Sequence, residues 1–389
     1  MHSFLTVLPL VATVLAARPY LNEADTGIDD VLGSTATGEL PPLASMIGLP
    51  DFEWAARKYM NTTAYTYYRN GAAGEWSYRN NLEIFARYRF RPRVLGMDVT
   101  QIESTLPTTL LGYNFSMPIF ISPAARGGYA NPAGEEGLVK GAGEAGILYM
   151  PSGFSTLTME QIADMKVKNG TYGPQVTFQQ IYLSENLTAS AIAFKRAETT
   201  GSKAIVMTVD SAGDGDRHRA ARYGVGSADS AYTYQTWDYV KQLQNLTSLP
   251  IILKGIMTVE DAQLAYDNGA KAIILSNHGA RQLDGAPSSL ETALEIHAEA
   301  PELFKQMEIY ADGGVRYGSD VLKLLALGVK AVGLGRSFMY ANCYGTEGVA
   351  KAISILKREI SIDAANLGVG DLKKIDPSYV KWENNNWWS

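Results

Sequence analysis

The feature that most constrains this chain is an alternation that fills residues 118 to 336. Eight short apolar runs recur: Pro118–Pro123 (PIFISP), Ile147–Ser152 (ILYMPS), Gln175–Tyr182 (QVTFQQIY), Ala204–Asp210 (AIVMTVD), Pro250–Gly255 (PIILKG), Ala272–Asn277 (AIILSN), Glu308–Gly314 (EIYADGG) and Ala331–Arg336 (AVGLGR). They are continuous rather than alternating in polarity, the pattern of strands buried on both faces of a parallel sheet. Between them lie stretches rich in Ala, Leu, Glu and Lys that predict helices over Pro132–Ala145, Ala189–Thr200, Val259–Asn268, Leu290–Glu299 and Ser319–Leu327. Eight strand–helix units predict an α/β fold, a (β/α)8 TIM barrel. A doubly wound open sheet is the alternative, and the count of eight favours the barrel. A helical, aromatic extension from Phe52 to Phe90 precedes it, and further helices follow at the C-terminus.

The polar residues of these runs gather at their C-terminal ends: Ser152, Gln180 with Tyr182, Thr208 with Asp210, Lys254, Ser276 with His278, and Asp312. In a barrel those ends converge on one face, the face that carries active sites. A buried Lys or Asp there costs several kcal/mol, on the order of 3–5, unless it is paired, so packing alone does not explain the pattern. Asp312-Gly313-Gly314-Val315-Arg316 and Gly333-Leu334-Gly335-Arg336-Ser337 follow strands seven and eight, where glycine-exposed backbone N–H groups and a short helix can hold phosphate. His278, three residues before Arg281, can place a proton acceptor beside a carboxylate-binding cation. His218 and His297 read as loop and surface residues, and Cys343 as a small buried apolar residue.

Composition narrows the function. With 34 Lys+Arg against 40 Asp+Glu the net charge is −6, and no dense basic run offers a nucleic-acid surface. One Cys excludes an intrachain disulfide, and four His with that Cys leave little room for a zinc site. Phe4–Ala17 (FLTVLPLVATVLAA) is apolar, short for a membrane span and ends in small residues, so residues 1–17 read as a signal peptide and the protein as secreted. A buried or disordered N-terminal helix is the competing reading. Sequons at Asn61, Asn114, Asn169, Asn186 and Asn245 are candidate glycosylation sites. Residues 18–51 read as a poorly ordered leader, 52–380 as one barrel domain and 381–389 as a tail.

From about Phe52 to Pro377 the chain resembles the FMN-dependent 2-hydroxy-acid oxidases and dehydrogenases. The resemblance is carried by SNHGARQLD, LPIILKG, TVD, QQIY, AYTYYRNGA and YADGGVRYGSDVLKLLALGVKAVGLGR. It implies FMN as cofactor and oxidation of an (S)-2-hydroxy acid to a 2-oxo acid. Electrons would pass to O2, giving H2O2, or to another acceptor. His278 would take the hydroxyl proton or, in a second version, the α-proton. Asp210 would stabilise the imidazolium, and Arg217, Arg281, Tyr67 and Tyr182 would contact substrate. Lys254 would stand by the flavin N1/O2 edge, where positive charge stabilises the reduced ring. Pro123, Ala124, Ala125, Ser152, Gln180, Thr208, Lys254 and Ser276 would contact the flavin. Asp312, Gly313, Gly314, Arg316, Gly335 and Arg336 would hold its phosphate. Family members are often tetramers, so a homo-oligomer is expected.

Two departures bear on the substrate. Phe154 stands where glycolate oxidases carry a pocket-lining Trp, which argues against assuming glycolate. The segment Arg219–Ser248 is shorter than the family's mobile loop, leaving room for a bulkier substrate. An FMN-dependent tailoring enzyme for a bulkier metabolite is therefore the second reading, and a barrel that binds FMN or a carboxylate without turnover the third. Nucleotide dehydrogenases resembling IMP dehydrogenase need a loop Cys that this chain lacks, since Cys343 lies beyond strand eight. FMN isomerases of similar fold lack the His-Gly-x-Arg arrangement.

Overall fold

Continuous apolar runs need both faces covered, and a closed sheet with helices outside provides that. The computed structural model describes residues 26–182, 184–227, 232–233 and 236–382. The eight runs form strands β1 Ile119–Ile121, β2 Leu148–Tyr149, β3 Phe178–Tyr182, β4 Ala204–Thr208, β5 Ile251–Ile256, β6 Ala272–Leu275, β7 Glu308–Asp312 and β8 Ala331–Leu334. Their hydrogen-bonded order is β2-β1-β8-β7-β6-β5-β4-β3, and the pairs are all parallel. A parallel bridge between Tyr149 and Thr177 joins the two remaining edges. The expected (β/α)8 barrel is the fold.

Phe120, Met150, Phe178, Val206, Ile252, Ile274, Tyr310 and Ala331 fill one buried cluster with the strands around them. A hairpin absent from the sequence reading, Thr108–Leu110 with Tyr113–Phe115, adds Leu110 and Phe115 to that cluster. Leu111 N–H donates to Glu308 at the start of β7, so the hairpin plugs the N-terminal end and leaves the opposite face for chemistry.

Three helices lead into the barrel: α1 Leu49–Tyr59, α2 Thr62–Tyr68 and α3 Trp76–Glu83. Asn61 caps α2 by accepting from Ala64 N–H. Beyond α2, Ala72 N–H donates to the Ala280 carbonyl and Ala73 N–H to that of Asp216. These bonds hold the extension over the C-terminal ends of the strands, bringing Tyr67 to that face. Helix α1 begins inside the stretch expected to be leader, and Met46 and Leu49 are buried. Residues 26–34, with the short helix Ile28–Leu32, belong to a unit distinct from the one that begins at Thr35.

Outside the barrel, α4 spans Glu136–Ala145, α5 Leu187–Thr199, α6 Val259–Asp267, α7 Ser289–Glu299, α8 Gly318–Ala326, α9 Arg336–Ala341 and α10 Gly345–Leu367. The first starts later than its expected Pro132, because Asn131 folds the preceding residues into a turn through Ala133 N–H and Gly134 N–H. No helix among the described residues is long and apolar enough to cross a membrane. The stretch Phe4–Ala17 and the tail beyond residue 382 lie outside the described residues.

Candidate active site

Strand ends carry the polar residues to one face, where a cleft opens. At one end lie Gly313, Gly314, Gly335, Arg336 and Arg316; at the other Tyr67, His278 and Arg281, with Lys254 in the wall. A recess continues past Tyr182, Arg217, Ser152 and Gln282.

The glycine-rich end is shaped by close approach. Gly314 has φ +80°, and a Cβ there would lie 1.9 Å from the Asn81 carbonyl oxygen, so no other residue fits. Around Gly335 a Cβ would meet no atom closer than 4.0 Å, so that backbone faces open space. The N–H groups of Gly313, Gly314 and Gly335 have no acceptor among the described residues. Three such N–H groups beside one cleft, with α9 starting at Arg336, fit a phosphate. Two arginines line this end as well, and both are already engaged by the protein. Arg336 is half-buried and donates to the carbonyls of Tyr68, Gly279 and Asn70, so its guanidinium also braces the N-terminal extension. Arg316 is held by Glu53 at 2.6 Å.

Across the cleft, Lys254 is buried and donates to Ser276 Oγ at 3.0 Å. Its ammonium lies 4.0 Å from Asp312, whose carboxylate also accepts from Ser122. Gln180 donates to Thr208 Oγ1 and accepts from Ser152 and Gly153. Gln180, Thr208 and Ser276 thus form a polar belt behind the wall of the cleft, while Pro123, Ala124 and Ala125 line it directly.

His278 sits after β6 at φ +60°, and Ala280 repeats that left-handed angle. Such strain concentrates at functional sites and persists only where surroundings enforce it. Here Ser276 Oγ accepts from His278 N–H and Asn277 Oδ1 from Ala280 N–H. Asn277 is itself locked by a reciprocal pair of bonds with Asn81.

His278 Nδ1 lies 2.9 Å from Asp210 Oδ1, both side chains buried. An ionised carboxylate only accepts, so Nδ1 carries the proton and the Nε2 lone pair faces the recess, 3.4 Å from Tyr182 OH. Burial pushes the imidazole down to about 4, against the opposing pull of Asp210. Burial would raise the Asp210 carboxyl, yet His278 and Lys254 outweigh it and hold it below its ordinary value. The ring is therefore neutral near pH 7 and free to accept a proton.

Two arginines line the same recess as that lone pair. Arg217 donates to the Arg281 carbonyl and to Gln282 Oε1, and Arg281 donates to the His278 carbonyl. Burial and the neighbouring Arg281 push the Arg217 guanidinium down to about 10. Neither forms an ion pair with a carboxylate among the described residues, so the pair is a ready-made anion site. Phe154 lies at the rim, 37% exposed, its ring 4.9 Å from that of Tyr182.

Sequence reasoning missed Ser122, the Asn81–Asn277 pair, Gln282 and Glu53. It also missed Glu135, a buried carboxylate that accepts from Gly127, Thr156 and Leu157 N–H and ties together the loops after β1 and β2. Asn277 and Gln282 lie within SNHGARQLD, but the roles of all of them depend on partners far away in the chain, which no motif shows. Cys343 is buried, and burial pushes its thiol up to about 12, which suits packing rather than nucleophilic chemistry. His218 is exposed beside Asp216.

A phosphate cradle after the last two strands of a barrel, facing a buried lysine, defines an enzyme that works with a phosphorylated cofactor. Residues 56–231 and 227–382 match the family described as FMN-dependent dehydrogenase. The chain belongs to that family and is an FMN-dependent oxidoreductase. It is 34% identical to glycolate oxidase 3 of Arabidopsis thaliana, over 85% of this chain and 95% of that protein. It is also 34% identical to the L-lactate dehydrogenase (cytochrome) of Saccharomyces cerevisiae, over 88% of this chain and 61% of that protein. A solved flavocytochrome b2 variant superposes with a TM-score of 0.84 at 33% identity, covering 92% of each chain. A mandelate oxidase variant with 2-hydroxy-phenylacetamide superposes at 0.77 and 32% identity, covering 86% of this chain and 98% of the other.

Proposed function

We propose that this protein oxidises an (S)-2-hydroxy acid to the 2-oxo acid, with His278 as the base. The observation that carries the reading is the His278 Nε2 lone pair, backed by Asp210 and sharing its recess with two arginines without carboxylate partners. An anion site beside a neutral base is what a 2-hydroxy carboxylate needs: its carboxylate sits on Arg217 and Arg281, and its hydroxyl reaches Nε2. Relatives named for glycolate, lactate and mandelate support the same substrate class.

FMN, when bound, would accept the α-hydrogen together with its electron pair, formally a hydride, as the alcohol carbon becomes a carbonyl. Pro123, Ala124, Ala125 and Lys254 would hold its ring against the belt of Ser152, Gln180, Thr208 and Ser276, and Asp312, Gly313, Gly314, Arg316, Gly335 and Arg336 would surround its phosphate. Lys254 supplies a fixed positive charge there before any charge develops. Arg217 and Arg281 orient the substrate, and the Tyr67 and Tyr182 hydroxyls complete its hydrogen bonding. His278 Nε2 accepts the hydroxyl proton, and Asp210 stabilises the resulting imidazolium at Nδ1. The electron pair leaves to O2, giving H2O2, or to another acceptor.

Entry into the secretory pathway completes the reading, supported by the apolar Phe4–Ala17 stretch and by the exposure of all five sequon asparagines, Asn61, Asn114, Asn169, Asn186 and Asn245. A homo-oligomer is the expected assembly. The test is product analysis: with a turned-over (S)-2-hydroxy acid in air, one 2-oxo acid forms per substrate, and peroxide at equal yield marks O2 as acceptor. His278→Gln should lower turnover by about 10³-fold or more while FMN stays bound. Near-normal turnover by that variant would overturn the assignment of the base.

A further inference from the structure

We propose that Arg126 is a specificity-determining residue that binds a second carboxylate, so that the preferred substrate is a 2-hydroxy dicarboxylic acid. This rests on the 2-hydroxy-acid reading above. In the recess, His278, Arg217 and Arg281 take the hydroxyl and the first carboxylate. Tyr67, Ala125 and Ser152 are among the other residues of its wall, and Arg126 follows Ala125 directly.

Arg126 is half-buried and reaches the recess through its contact with Tyr67. Its guanidinium carbon stands 4.9 Å from the centre of the Tyr67 ring and 5.7 Å from that of Tyr129. Its one side-chain hydrogen bond runs from Nη1 to Tyr129 OH at 3.1 Å, which leaves Nη2 and Nε unbonded. No carboxylate among the described residues pairs with it. Contact with two tyrosine rings holds the guanidinium in place and leaves two of its nitrogens open, which suits carboxylate binding.

The backbone gives an independent reason to look here. Arg126 has φ +58°, a conformation that costs a bulky residue strain. The turn is held from three sides: Arg126 N–H donates to the Phe154 carbonyl, Tyr68 OH donates to the Arg126 carbonyl, and Glu135 accepts from the next N–H, that of Gly127. Glu135 also accepts from Thr156 and Leu157 N–H, so the turn and the Phe154 loop form one rigid rim. Glycine would satisfy this angle without strain, and the arginine keeps it because the turn aims the side chain over Tyr67. A monocarboxylate substrate would leave this cation without an anionic partner.

The test compares malate, 2-hydroxyglutarate and 2-hydroxyadipate, as (S) enantiomers, each with the 2-hydroxy monoacid of equal carbon count. Wild type, Arg126→Gln and Arg126→Lys holoenzymes are assayed by flavin bleaching without oxygen. Wild type should prefer at least one diacid over its monoacid partner. In Arg126→Gln that diacid should lose about 10- to 100-fold in kcat/KM, the range of a charge-assisted bond, while monoacids change little; Arg126→Lys should recover part of the loss. Equal losses for diacids and monoacids would mean that Arg126 acts only by placing Tyr67, and a wild-type preference for monoacids throughout would also overturn the proposal. Bleaching by neither class would overturn the 2-hydroxy-acid reading itself.

Discussion

Replacing Asp210 by Asn tests how the base is supported. The 2.9 Å contact to His278 Nδ1 lies among buried side chains. When Nε2 takes a proton, a unit positive charge appears about 3–4 Å from the carboxylate; at an effective dielectric of about 20 the attraction is roughly 4–5 kcal/mol. Asparagine can keep a neutral hydrogen bond of about 1 kcal/mol. About 3–4 kcal/mol of support for the imidazolium is therefore lost, and the bleaching rate should fall about 10²- to 10³-fold. Anaerobic stopped-flow absorbance gives that rate, and its saturation gives substrate affinity separately. Affinity should change little, because Arg217 and Arg281 are untouched. A bleaching rate within about threefold of wild type, or a defect wholly in affinity, would refute the reasoning.

Because burial holds His278 near 4, the base is already deprotonated well below the ordinary imidazole value of about 6.5. The kcat/KM profile should therefore stay flat from about pH 7.5 down to about pH 5 and fall only below, whereas an acid limb centred near 6.5 would contradict the burial argument. Gly314→Ala forces a methyl to 1.9 Å from the Asn81 carbonyl at φ +80°; purified protein should lose most of its bound FMN, measured by the ratio of visible to ultraviolet absorbance. Glu135→Gln turns one of two oxygens that accept three N–H groups into a donor facing a donor. Thermal melting should show a loss of about 1–3 kcal/mol, with no loss expected if the carboxylate were merely accommodated.

Much of the fold was legible because strand runs such as AIVMT and IILKGI are buried on both faces and therefore apolar up to their C-terminal ends, a signal that survives without an alignment. The ends of those runs were legible for the opposite reason. Lys254 and Asp312 are charges that the interior tolerates only when partnered, and they lie near each other. The His278 segment was legible through its resemblance to a family, and Asp210 does stand behind its ring. What stayed hidden depends on contacts across the chain. Asn81 and Asn277 lock the His278 turn from 196 residues apart. The bonding of Arg336 to three carbonyls cannot be read from a glycine-rich loop, and the hairpin that plugs the barrel has strands too short to show a period.

The measurement that reaches the central claim most directly is an anaerobic titration of the purified protein with a panel of (S)-2-hydroxy acids, followed by visible absorbance. The account predicts a yellow protein whose flavin bands bleach with at least one acid and return on admitting air or an artificial acceptor. A protein that stays colourless after incubation with FMN, or a yellow one that no 2-hydroxy acid bleaches, would contradict it.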